Sequence, residues 1–121
     1  MSKSVITDYT DISVFSGRPK ECDHHAIYGN GLHKLADEDL LTIPLTNAEH
    51  NLSPKGTINQ IHGNPAAEKL SKISGQLAWE RKELIMMMLD EESGEPLPEQ
   101  YQRISEEVRE RFRKRYGKSY L

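Results

Sequence analysis

Cysteine is nearly absent: Cys22 is the only one, so the chain can form no internal disulfide. Long apolar runs are missing too, and no stretch approaches the roughly 20 residues that a membrane-spanning helix needs. The first segment, Met1 to Phe15, carries acidic residues early and has no apolar leader core. Together these absences lead us to expect a cytoplasmic protein with no membrane contact. Aromatic residues make up only 7% and hydrophobic residues 36% of the chain, against 29% charged, so the core must be modest. There is no excess of positive charge: the net charge is −3, which argues against a non-specific nucleic-acid coat protein. Gly29-Asn30-Gly31 is not followed by Gly-Lys-Ser/Thr, which excludes a phosphate-binding loop there. No internal repeat or low-complexity tract is present.

What remains suits one domain of 121 residues with a peripheral helix. Residues 1–11 are polar and unpatterned and read as a flexible arm. Ile12–Phe15 and Glu21–Tyr28 read as short extended segments, split by the turn Gly17-Arg18-Pro19. A loop is expected from His33 to Asp39, then a buried strand at Leu40–Leu45 whose Pro44 restricts it to an edge. Thr46 to Gly63 reads as a loop holding one helical turn around Ala48. Asn64-Pro65 is a helix start, with Asn as cap and Pro in the first turn. Leu70, Ile73, Leu77, Leu84 and Met88 then recur at helical spacing and mark an apolar face as far as about Asp90. Gly75 weakens that helix unless it permits close packing. Residues 91–98 have linker composition. Residues 99–121 read as a basic amphipathic helix with Tyr101, Ile104, Val108 and Phe112 on one face and Gly117 past its end. From Arg103 to Lys118 seven Lys/Arg stand against three Glu, a local basic stripe on an acidic chain.

Five histidines carry the chemistry. His24 and His25 are adjacent in the first extended segment, and successive strand residues point to opposite faces, so the two take different jobs. His50 follows the second strand, His62 precedes the long helix, and His33 stands alone and reads as a solvated loop residue. Imidazole suits zinc and related metals and also serves as a general base. Spacing alone leaves a metal site and ordinary surface histidines both open. A Cys22/His24 nucleophile pair is disfavoured, because close neighbours along a strand diverge.

The ordered set His24-His25, Ile27-Tyr28-Gly29, Pro44-Leu45, His50, Pro54-Lys55-Gly56, Ile61-His62 and Trp79-Glu80 resembles the HNH-type domain of a family of small bacteriophage proteins. The closing run Tyr116-Gly117-Lys118-Ser119-Tyr120-Leu121 is similar to that family's tail. The likeness covers about Ser13 to Glu80 plus the last few residues. It implies an α+β fold: a small ββα-metal (HNH or His-Me finger) core over residues 12–90 with an added C-terminal helix. It also implies one divalent ion (Mg²⁺, Mn²⁺, Ni²⁺ or Zn²⁺) on His24, His50 and His62, with His25 as general base. In related domains an asparagine positions the base, and Asn47 or Asn51 stands in that region, with Asn47 as our candidate. The implied activity is metal-dependent hydrolysis of DNA phosphodiesters in an infected bacterial host, in recombination or DNA processing. Arg109, Arg113 and Lys114 of the last helix are the candidate DNA-backbone contacts.

Many relatives in that family carry a Cys-x-x-Cys pair and further cysteines that resemble a structural zinc site. Here Ser13, Ser16, Thr46 and Glu49 occupy the corresponding places, and hydroxyls do not replace thiolates as zinc ligands. A structural zinc is therefore not expected, and the fold must rest on packing. Two other readings remain: a catalytically inactive HNH-like DNA- or protein-binding module, and an assembly protein using helices Ala66–Leu89 and Glu99–Tyr116 as a partner surface. Met86-Met87-Met88 belongs to that last reading if exposed, and to the core if not.

Overall fold

The computed structural model describes residues 3–52 and 60–121, with a mixed α+β architecture. Strand β1 is Cys22–His25, helix α1 Leu32–Glu38 and strand β2 Thr42–Leu45, followed by a π-helical turn, Ala48–Leu52. Helices α2, Pro65–Asp90, and α3, Leu97–Tyr116, complete the chain. Among the described residues no helix is long and apolar enough to cross a membrane. Pro54-Lys55-Gly56, part of the resemblance, lies outside the described residues.

The two strands pair antiparallel with His24 opposite Ile43 and Asp23 opposite Pro44. Pro44 is tolerated because each strand of a two-stranded sheet is an edge. The strands are shorter than their composition suggests, and Ile12–Phe15 contributes only one bridge, Ile12 to Pro19. The expected loop from His33 to Asp39 is instead helix α1. Its start follows Gly31 at φ 87°, and only its Ala36 is fully buried, so no apolar period announces it. Within residues 1–11, Ser4 donates to the Thr42 carbonyl at 2.6 Å and the Val5 amide to the Leu40 carbonyl at 2.9 Å.

Helix α2 begins as its sequence requires, with the Asn64 side chain accepting from the Ala67 amide at 3.3 Å and Pro65 in the first turn. Such a cap contributes about 1 kcal/mol. Its buried face follows the expected stripe only in its second half, where Leu84 and Met88 pack against the core. Leu70 and Leu77 are 66% and 52% exposed, while Ser71, Gly75, Gln76 and Trp79 are buried. Gly75 sets this rotation: a Cβ there would lie 3.0 Å from Ile27 Cγ1 and 3.1 Å from Ala26 Cβ, so the helix rests directly on the chain following β1.

Helix α3 packs its Ile104, Val108, Phe112 and Tyr116 into the core, with Phe112 and Tyr116 stacked at 4.6 Å. Tyr101, expected on this face, is exposed. Asp39 joins the elements by accepting from Trp79 Nε1 at 3.1 Å, Arg115 Nε at 2.6 Å and the Tyr116 hydroxyl at 2.7 Å. Met86 is exposed, whereas Met87 and Met88 pack against the core.

Ser13, Thr46 and Glu49 converge in a hydrogen-bonded knot. Glu49 Oε1 accepts from Ser13 Oγ at 2.5 Å and from the Thr46 amide at 2.9 Å. Thr46 Oγ1 in return accepts from the Glu49 amide at 3.3 Å, a capping box on the π-helical turn. Burial raises the Glu49 carboxyl pKa, but the Ser13, Thr46 and Ser16 hydrogen bonds outweigh it and hold the group below its usual value. The fold therefore rests here on a polar network as well as on packing.

Candidate metal centre

Three separate segments deliver three histidines to one place. His24 comes from β1, on the strand face turned toward α2. His50 sits on the π-helical turn fixed by the Thr46–Glu49 box. His62 is brought beside it by two backbone bonds, His62 N to His50 O at 3.1 Å and Ile61 N to Glu49 O at 2.9 Å. One ring nitrogen of each histidine lies within 4.8 Å of the others, so the group can hold a metal ion. His50 Nε2 and His62 Nε2 are 3.0 Å apart. Two ligands on a tetrahedral ion with 2.0–2.1 Å bonds lie roughly 3.4 Å apart, so the His50–His62 pair is close to the spacing that a shared ion requires.

Hydrogen-bond accounting assigns the ligand atom of His24. The Ser71 hydroxyl has one proton and donates it to the Ala26 carbonyl at 2.9 Å. Its oxygen therefore accepts from His24 Nε2, 2.7 Å away, which places the imidazole proton on Nε2. Nδ1 is left with a lone pair, fully buried and without a hydrogen-bond partner among the described residues. A buried orphan of this kind costs on the order of 1–3 kcal/mol, and a bound cation removes that cost. Burial, then the neighbouring His62 and His50, push the His24 pKa down to about 3, and burial first also lowers that of His50. Both rings are thus held in the neutral form that binds metal.

Behind His62 stands Glu68, its carboxylate 3.6 Å from Nδ1 and accepting from the Tyr28 hydroxyl at 3.0 Å. Glu68 and Ser71 are three residues apart on α2, so one helical face backs two of the three ligands. Tyr28 closes the group, its ring 4.7 Å from that of His62 and 5.6 Å from that of His24. Glu68, Ser71 and Tyr28 escaped sequence reasoning, although the spacing Glu68, Ser71, Gly75 is a helical stripe of its own.

His25 lies on the other face of β1, as strand alternation requires. Its Nε2 is 3.0 Å from Asp37 Oδ1, and its ring lies 3.6 Å from that of His33, tilted by 40°. His33 is exposed, as expected, but it belongs to a helix and not a loop: it stands four positions before Asp37 on α1, and both meet His25. Positive charge on His25 contributes to lowering both His24 and His50, so the two faces are electrostatically linked. Asn47 is exposed, its amide donating to Glu21 Oε1 at 3.0 Å, and Asn51 is exposed as well. On α3, Arg109 pairs with Glu80 at 2.7 Å and Arg113 with Glu110 at 3.1 Å, while Lys114 is exposed.

No protein-family model, no curated protein and no solved structure matches this chain.

Proposed function

We propose that the protein is an HNH-type, metal-dependent DNA endonuclease in which His24, His50 and His62 hold one divalent ion and His25 is the general base. The observation that carries this reading is the unpartnered, buried Nδ1 of His24 beside two further imidazoles. Three neutral nitrogen donors favour a transition ion such as Zn²⁺ or Ni²⁺ over Mg²⁺ and Mn²⁺, which prefer oxygen. When bound, such an ion supplies Lewis-acid stabilisation to a phosphate oxygen. Asp37 accepts the Nε2 proton of His25 and so leaves Nδ1 as the basic nitrogen. His25 would take a proton from water at Nδ1 while keeping its bond to Asp37, and general-base assistance of this kind contributes typically 10²–10⁴-fold. The ββα-metal core expected from resemblance is supported by the β1–β2 pair and by Glu68 and Ser71 of α2, which stand behind His62 and His24.

A second reading keeps the metal but not the cleavage. His24 is wholly buried, and its partners come from distant segments, which also suits a structural staple in a DNA- or protein-binding module.

Nicking of supercoiled plasmid under Mg²⁺, Mn²⁺, Ni²⁺ and Zn²⁺ separates the two. We expect cleavage by the wild type, loss of at least 10²-fold in His25→Ala, and unchanged metal affinity in that variant. Metal binding by well-folded wild type with no cleavage under any ion would favour the staple.

A further inference from the structure

The last six residues resemble a family tail but find no duty in the metal centre. They are nevertheless firmly placed. Gly117, at φ 88°, ends α3 with its amide on the Arg113 carbonyl at 2.7 Å and lets the chain reverse. Ser119 and Tyr120 then meet Gln76, which is completely buried on α2. Gln76 Nε2 donates to Ser119 Oγ at 3.0 Å, and the Tyr120 amide donates to Gln76 Oε1 at 2.6 Å. A buried amide satisfied on both ends fixes the register of what it holds.

That register puts the Tyr120 ring between two ammonium groups. Lys118 Nζ lies 5.5 Å and Lys72 Nζ 5.7 Å from its centroid. Lys72 also lies 4.8 Å from the Tyr28 ring, the same ring that closes the histidine group. A single aromatic therefore separates Lys72 from His62. The arginines of α3 contrast with these lysines: Arg103, Arg109, Arg111, Arg113 and Arg115 each have a carboxylate partner. Among the described residues no carboxylate lies within ion-pair distance of Lys72 or Lys118. Glu68, one turn before Lys72, is engaged by Tyr28 and His62 instead. Two cations gathered on aromatic faces, left without counter-charge and opening beside a metal centre, match a ligand that carries negative charge at regular intervals.

We propose that Lys72 and Lys118, held on the rings of Tyr28 and Tyr120, form the strip that grips the DNA phosphate backbone beside the metal centre. The inference rests on the nuclease reading and relocates its DNA contact from α3 to the tail. Binding of a short fluorescent duplex by the full chain, without divalent metal and over a salt series, tests it. The slope of log K against log[salt] should shrink by roughly 2 in Lys72→Gln/Lys118→Gln, since each duplex phosphate contact contributes about 0.9. Arg113→Gln/Lys114→Gln should leave the slope unchanged, and Lys72→Arg/Lys118→Arg should retain the wild-type slope. Should the double glutamine variant misfold, each single variant is expected to lose roughly 1. Cobalt absorption should be unaltered by the lysine substitutions. A wild-type slope in the glutamine variants, or loss confined to the α3 variants, overturns the strip alone. Failure of the wild type to bind duplex at any salt overturns the strip and the nuclease reading together.

Discussion

Ser71 decides what His24 can do. Because the hydroxyl spends its proton on the Ala26 carbonyl, it can only accept from Nε2, and the tautomer follows. Ser71→Ala removes that constraint and leaves Nε2 without its acceptor. Loss of a ligand's outer partner typically costs 10–100-fold in metal affinity, and we expect a loss in that range by chelator competition, with the far-UV spectrum unchanged. Wild-type affinity in Ser71→Ala would mean that His24 binds through the other nitrogen or not at all. At this scale the histidines were legible, since few residue types do their chemistry and their order is distinctive. Ser71 and Glu68 were not, because a serine and a glutamate early in a helix look like ordinary polar surface. Asp37 and His33 were hidden by one further error: seven residues with a single fully buried side chain gave no sign of a helix.

At the scale of elements, the ends of α2 were readable and its orientation was not. Asn64-Pro65 marks the start through local chemistry alone, and the helix runs Pro65–Asp90 as expected. Which face turns inward depends on contacts remote in sequence. Leu70 and Leu77 turn outward because the chain after β1 lies against the helix at position 75, where a Cβ would be 3.0 Å from Ile27 and 3.1 Å from Ala26. Gly75→Ala should gain up to ~1 kcal/mol in helix propensity and lose about 1–3 kcal/mol through overpacking against Ile27 and Ala26. The net expectation in urea unfolding is destabilisation of about 1 kcal/mol. Leu77→Gln, on the open face, should stay within about 0.5 kcal/mol of wild type. A stabilised Gly75→Ala together with a strongly destabilised Leu77→Gln would place the leucine stripe inside. The strand pair was legible in outline, whereas its length was set by pairing and not by composition. The Thr46–Glu49 capping box was readable in principle, as Thr and Glu stand three apart ahead of His50.

Over the whole molecule, the three clustered histidines join β1, the π-helical turn and the entry to α2, while Asp39 and the tail tie α3 to the same body. An ion at the first junction would close a long loop and stabilise the folded chain by mass action. The most direct measurement is a cobalt titration of the full chain, read by the ligand-field absorption of a nitrogen-bound ion and by the accompanying rise in Tm. We predict one Co²⁺ per chain, displaced by Zn²⁺, with the signal lost in His24→Ala, His50→Ala and His62→Ala and kept in His33→Ala. Folded wild-type protein that takes up no Co²⁺, or takes it up equally well without these three histidines, would contradict the account.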